Sequence, residues 1–101
     1  MSGGDENFIA EMIGLFKEQI DEYSELMPRL LEIKDYDGLS KMAHKAKSSV
    51  AVMGMTRVAD LLKELEVLAN EIKEPERYEG MVKEFLEQGY RAVEELQQSQ
   101  P

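Results

Sequence analysis

His44 is the one imidazole in the chain, and it sits in a stretch, LSKMAHKAKSSVAVMG over residues 39–54, that also holds Lys41, Lys45, Lys47, Ser48 and Ser49. Cysteine is absent, which leaves that imidazole as the best nucleophile available. A histidine with a reference pKa near about 6.5 is mostly neutral at pH 7, so one ring nitrogen carries a free lone pair and needs no dedicated base. The electrophile that suits an open, hydrated site is phosphorus, delivered by a partner that brings its own metal and activation. Lys45, adjacent, and Lys47, one turn on, would then face phosphoryl charge. At about 6 Å in water such a contact is worth about 0.7 kcal/mol, enough to tune an equilibrium but not to catalyse.

Other chemistries fail on spacing. Helical bundles hold metals through Glu-x-x-His pairs, but the residue three before His44 is Lys41, so no metal site is expected. Ser48 lies one turn from His44, yet a serine hydrolase needs an oxyanion hole, and mid-helix N–H groups are consumed by the helix ladder. The net charge of −9 argues against nucleic acid. That charge is uneven: Lys34, Lys41, Lys45, Lys47 and Arg57 face only Asp35 and Asp37 within residues 34–57, a positive island suited to an incoming anion. No apolar run approaches the roughly 18 residues of a membrane span, and MSGGDEN lacks the features of a signal peptide, so a cytoplasmic monomer without membrane contact is expected.

The elements that must carry these residues follow from apolar spacing. Asp5 is placed to cap a first helix with the stripe Ile9, Met12, Ile13, Phe16, Ile20, Tyr23, Met27, Leu30 and Leu31, and Phe8 adds apolar surface at its start. Pro28 removes one ladder bond and is expected to bend that helix near Ser24–Pro28. Asp35 caps a second helix with the stripe Tyr36, Leu39, Ala43, Ala46, Val50 and Met53, ended by Gly54. Thr56 is placed to cap a third with Val58, Leu61, Leu62, Leu65, Leu68, Ala69 and Ile72. Pro75 opens a fourth with Tyr78, Met81, Val82, Phe85, Leu86, Tyr90, Val93 and Leu96. The short turn at Gly54–Thr56 makes helices two and three an antiparallel hairpin. The expectation is an all-α, up-down-up-down antiparallel four-helix bundle over residues 5–97. Residues 1–4 are set aside as an appended or disordered N-terminus, and 98–101 as a frayed end.

On such a second helix His44 falls about 130° from the centre of the buried stripe and faces outward. Lys41, Lys45, Ser48, Ala51, Val52 and Met55 share its face. Small apolar residues around an exposed histidine suggest a surface that docks something, with Lys41, Ala51, Val52 and Met55 as partner contacts. Glu66 is expected beside the imidazole, because 44 and 66 are equidistant from the turn at Met55. There it would fix the ring tautomer and leave the other nitrogen free.

Ala43-His44-Lys45-Ala46-Lys47-Ser48-Ser49, followed by Gly54, resembles the histidine-containing phosphotransfer (HPt) domain, whose motif reads A-H-x-L-K-G-S-x with a glycine ten residues after the histidine. Lys34-Asp35-Tyr36 and Leu65-Glu66 are similar to the family as well. Ser48 stands where the family has glycine, and Ala46 where it has leucine. The resemblance implies a four-helix bundle with His44 as phosphoacceptor and Lys47 at the phosphoryl group. It also implies docking of response-regulator receiver domains or a hybrid sensor histidine kinase. The expected function is a phosphorelay intermediate without turnover or cofactor of its own, with Mg2+ only on the partner receiver. The competing reading is a non-phosphorylated helical adapter, a pseudo-HPt module.

Overall fold

The computed structural model describes the backbone of residues 2–98 and the side chains from Phe8 to Gln98. Four helices, α1 (Ser2–Glu32), α2 (Tyr36–Val52), α3 (Thr56–Glu71) and α4 (Tyr78–Gln98), account for nearly all of it, and a 3-10 turn at Pro75–Arg77 leads into α4. No strand occurs among the described residues. Met1 and residues 99–101 lie outside them; of the expected frayed end at 98–101, Gln98 is instead the last residue of α4.

Each helix buries most of the stripe its spacing dictates. Ile13, Phe16, Ile20, Tyr23 and Met27 of α1 meet Leu39, Ala43, Ala46 and Val50 of α2 in one core. Val58, Leu62, Leu65 and Ala69 of α3 complete it with Tyr78, Met81, Val82, Phe85 and Val93 of α4. The most extensive pairing is α2 with α3, followed by α1 with α4. Across the second pair the Tyr90 hydroxyl donates to Asp21 Oδ1 at 2.7 Å. Gly89 gives the two helices a close approach there: a Cβ at that position would stand 2.7 Å from Ile20 Cδ1, so that side chain would have to shift.

The helix ends show where local chemistry agrees with the sequence and where the chain overrides it. Asp35 caps α2 as expected, accepting from the Gly38 N–H at 2.9 Å. Gly54 ends α2 at φ +78, its N–H donating to Ala51 O and that of Met55 to Val50 O, the double bond of a Schellman turn. Thr56 is not the cap of α3. The Ala59 N–H already donates to Met55 O, so the ladder starts at Met55, whose side chain has no oxygen to cap it. Asp5 likewise stands inside α1, whose backbone is helical from Ser2. Pro28 lies within α1 and does not end it.

Three stripe assignments need correction. Ile72 is 62% exposed with φ 54, because α3 closes with a Schellman turn and the left-handed residue turns away from the core. Ile9 is exposed because Met12 and Leu15 already share a groove with Val52, the last residue of α2, and its cap Met53, leaving earlier residues of α1 beyond α2's end. Tyr90 is half-exposed, its ring edge carrying the hydroxyl to Asp21.

Gly14 and Gly80 are exposed helix-interior glycines with open space where a Cβ would stand. Gly14→Ala and Gly80→Ala are each expected to stabilise the fold by about 0.5–1 kcal/mol through lower unfolded-chain entropy. The check is the urea midpoint; a fall in either variant contradicts the placement.

Candidate functional site

The site is built on the α2/α3 pair, joined by only Met53–Met55. Ala43 and Ala46 turn into the core, which carries His44 outward; its side chain is 64% exposed. Directly across, on α3, Leu65 is buried and Glu66 comes up beside the imidazole. His44 Nδ1 lies 2.9 Å from Glu66 Oε2. Lys47, one turn further along α2, donates from Nζ to the other carboxylate oxygen, Oε1, at 3.0 Å. A single carboxylate thus bridges the histidine and the lysine. Behind it, the Ser40 hydroxyl donates to the Glu66 backbone carbonyl at 2.8 Å.

Glu66 holds its charge against its surroundings. Partial burial opposes ionisation, but the Lys47 and His44 hydrogen bonds outweigh it, so the carboxyl titrates below the usual glutamate range. Its contribution to stability is therefore complete above that usual range and is lost as the pH falls through the lowered value. At neutral pH the carboxylate is an acceptor only. Its partner Nδ1 must then carry a proton, which leaves the lone pair of the neutral ring on Nε2.

Three lysines of the positive island are paired with carboxylates. Lys41 pairs with Asp37 at 3.1 Å, Lys45 reaches Glu22 of α1 at 3.9 Å, and Lys47 is held by Glu66. An anion at His44 would meet these lysines only by displacing carboxylates, so the island attracts less than its sequence suggests. The structure brings His44, Lys47 and Glu66 together, whereas Lys45 points to α1. Among the described residues no group of His, Asp and Glu is arranged to hold a metal ion.

The flanking surface is divided. Ser48 and Val52 line an apolar groove with Met12, Leu15, Phe16 and Gln19 of α1. Val52 is 72% exposed, Leu15 60% and Phe8 62%, and Ala51 is exposed as well. On the other side of His44 a second groove runs between Lys41 and Ser40 of α2 and Val67 and Asn70 of α3. Met55 joins neither. It packs partly against the core and lines a groove with Arg57, Gln88 and Arg91.

Sequence spacing missed the contribution of α1 to this face. Phe8, Met12 and Leu15 recur at four and three residues, a second apolar stripe beside the buried one, and that spacing was the available signal. It also missed Ser40, a lone hydroxyl one turn before His44.

No helix among the described residues is long and apolar enough to cross a membrane. A family model described as the Hpt domain matches residues 11–99. No curated protein and no solved structure matches the chain.

Proposed function

The chain belongs to the Hpt domain family, phosphocarriers of two-component signalling, and on that premise we propose that it is a phosphorelay intermediate with His44 as the phosphoacceptor. The observation that carries this reading is the 2.9 Å contact between His44 Nδ1 and Glu66 Oε2 on an otherwise exposed ring. Nε2 attacks the phosphorus of a receiver's aspartyl phosphate; the N–P bond forms, the acyl P–O bond breaks, and the aspartate leaves as a carboxylate. The imidazolium that results keeps its Nδ1 proton on Glu66, whose negative charge offsets the new positive one. The reverse sequence at a second receiver's aspartate releases the group. Lys47, already on the carboxylate beside the ring, exchanges Glu66 for the phosphoryl oxygens, whereas Ser48 lines the groove toward α1. Lys45, tied to Glu22, contributes only field.

In this reading the receiver supplies Mg2+ and the other reacting groups, and the carrier has neither a metal nor turnover of its own. The bundle runs up-down-up-down, an arrangement supported by the short α1/α2 and α2/α3 links and by the Tyr90 to Asp21 contact. Pro28, which deprives Ser24 O of its ladder donor, bends α1. The domain works as a cytoplasmic monomer.

A purified receiver domain phosphorylated on its aspartate tests the proposal. Transfer of label to this chain, located on the histidine by mass spectrometry, supports it. Absence of transfer from every receiver tried, and from a cognate-type hybrid kinase, supports the adapter reading instead.

The docking face is Ala51 and Val52 with Met12 and Leu15 of α1, and Lys41 contacts the partner from the groove on the other side of His44. Because Val52 is exposed, Val52→Glu is expected to change stability by no more than about 0.5 kcal/mol while slowing phosphotransfer markedly. Urea melts and transfer rates on the same sample check this. A large loss of stability would place Val52 in the core, and an unchanged rate would remove it from the interface.

A further inference from the structure

Three side chains of α2, at positions 40, 44 and 47, converge on one residue of α3. His44 and Lys47 share the Glu66 carboxylate, and the Ser40 hydroxyl takes the Glu66 backbone carbonyl at 2.8 Å. Ser40 is 7% exposed, the one polar residue in the buried set among the described residues. A hydroxyl removed from water costs free energy unless it is bonded, so this contact is obligatory for Ser40 in the packed state. It uses a lone pair of Glu66 O beyond the one committed to the α3 ladder.

The apolar contacts nearby cannot do the same work. The stretch of α2 behind His44 presents Ala43 and Ala46, buried methyl groups that offer no directional contact. Apolar burial is non-directional and tolerates sliding of one helix along another, whereas a hydrogen bond weakens steeply with distance and angle. The one directional backbone tether between α2 and α3 at this level therefore lands on the residue whose side chain must meet the imidazole.

We propose that Ser40 is a positioning residue: it sets the register of α3 against α2 so that the Glu66 carboxylate reaches Nδ1 of His44. The proposal rests on the reading of His44 as phosphoacceptor. Ser40 touches neither the ring nor a phosphoryl group and acts only through Glu66. A displacement of α3 of about 1 Å along α2 would misalign the carboxylate with the ring and release the ring to both tautomers.

The test compares Ser40→Ala, Glu66→Ala and the double variant with the parent chain. One readout is the imidazole tautomer by nitrogen-15 NMR, and the other is the rate of His44 phosphorylation by potassium phosphoramidate. In that reaction the donor's P–N bond breaks, ammonia leaves, and the Nε2–P bond forms, with no protein partner needed. Ser40→Ala is expected to turn a single Nδ1–H tautomer into a mixture and to slow uptake roughly tenfold. In the Glu66→Ala background it should add nothing to either readout, because a residue acting through Glu66 has no further route. Ser40→Cys, nearly the same size but a weak donor, should behave as Ser40→Ala does. A parent-like tautomer in Ser40→Ala, a parent-like Ser40→Cys, or an effect of Ser40→Ala undiminished without Glu66 overturns the proposal. If the parent chain takes up no phosphate, the phosphoacceptor reading falls, while the tautomer comparison still decides the role of Ser40.

Discussion

His44→Gln is expected to abolish phosphoryl uptake from a phosphorylated receiver. The chain holds no other imidazole, and this one is exposed, so no other ring nitrogen is there to form the N–P bond. The label on the parent should be acid-labile and alkali-stable, as a phosphoramidate is, whereas a serine ester at Ser48 or Ser49 would survive acid. Glutamine is a good helix former, and the side chain it replaces is exposed, so far-UV circular dichroism should be unchanged. Lys47 keeps its bond to Glu66 in the variant, so the local ion pair persists without the acceptor. Equal labelling of the variant would move the phosphoacceptor elsewhere and end the central reading.

The largest effect on stability is expected from Phe85→Ala. Phe85 is fully buried, and its ring stands 5.8 Å from that of Tyr23 at an interplanar angle of 53°. Truncation removes the apolar surface of a whole ring and leaves a cavity between α1 and α4, a loss of about 3–5 kcal/mol in comparable cores. Domains of this size have roughly 5–15 kcal/mol in total, so the variant should be marginal at ambient temperature. Urea denaturation would show a much lower midpoint at a similar slope. A loss below about 1 kcal/mol would mean that neighbouring side chains collapse into the space and that Phe85 does not hold the α1/α4 seam.

Much of this was legible in the order of residues. The stripes Leu39, Ala43, Ala46 and Val50 and Leu62, Leu65 and Ala69 are buried as their period requires. Asp35 and Gly54 mark the ends of α2 for reasons of local chemistry alone. Counting outward from the turn at Met55 was enough to put Glu66 opposite His44, because a tight helical hairpin leaves little freedom of register. What could not be read depends on partners distant in sequence. Nothing near Lys45 announces Glu22, and nothing near Ser40 announces the carbonyl of Glu66. Ile72 has the period of a core residue and fails to be one because the helix has already turned left-handed at that position. Met55 has the period of the His44 face, but α2 ends before it and the chain has changed direction.

The three-residue link between α2 and α3 also bears on the order in which the molecule assembles. Bringing His44 to Glu66 closes a loop of 22 residues, and bringing Asp21 to Tyr90 closes one of 69. Closure entropy grows with the logarithm of loop length, so the second closure costs about 1 kcal/mol more than the first if nothing else has formed. Low contact order favours early pairing, which makes the α2/α3 hairpin the natural nucleus and the α1/α4 seam the late step. His44 and Glu66 thus lie on the part of the chain that can find its partner first, and α1 and α4 close over it afterwards.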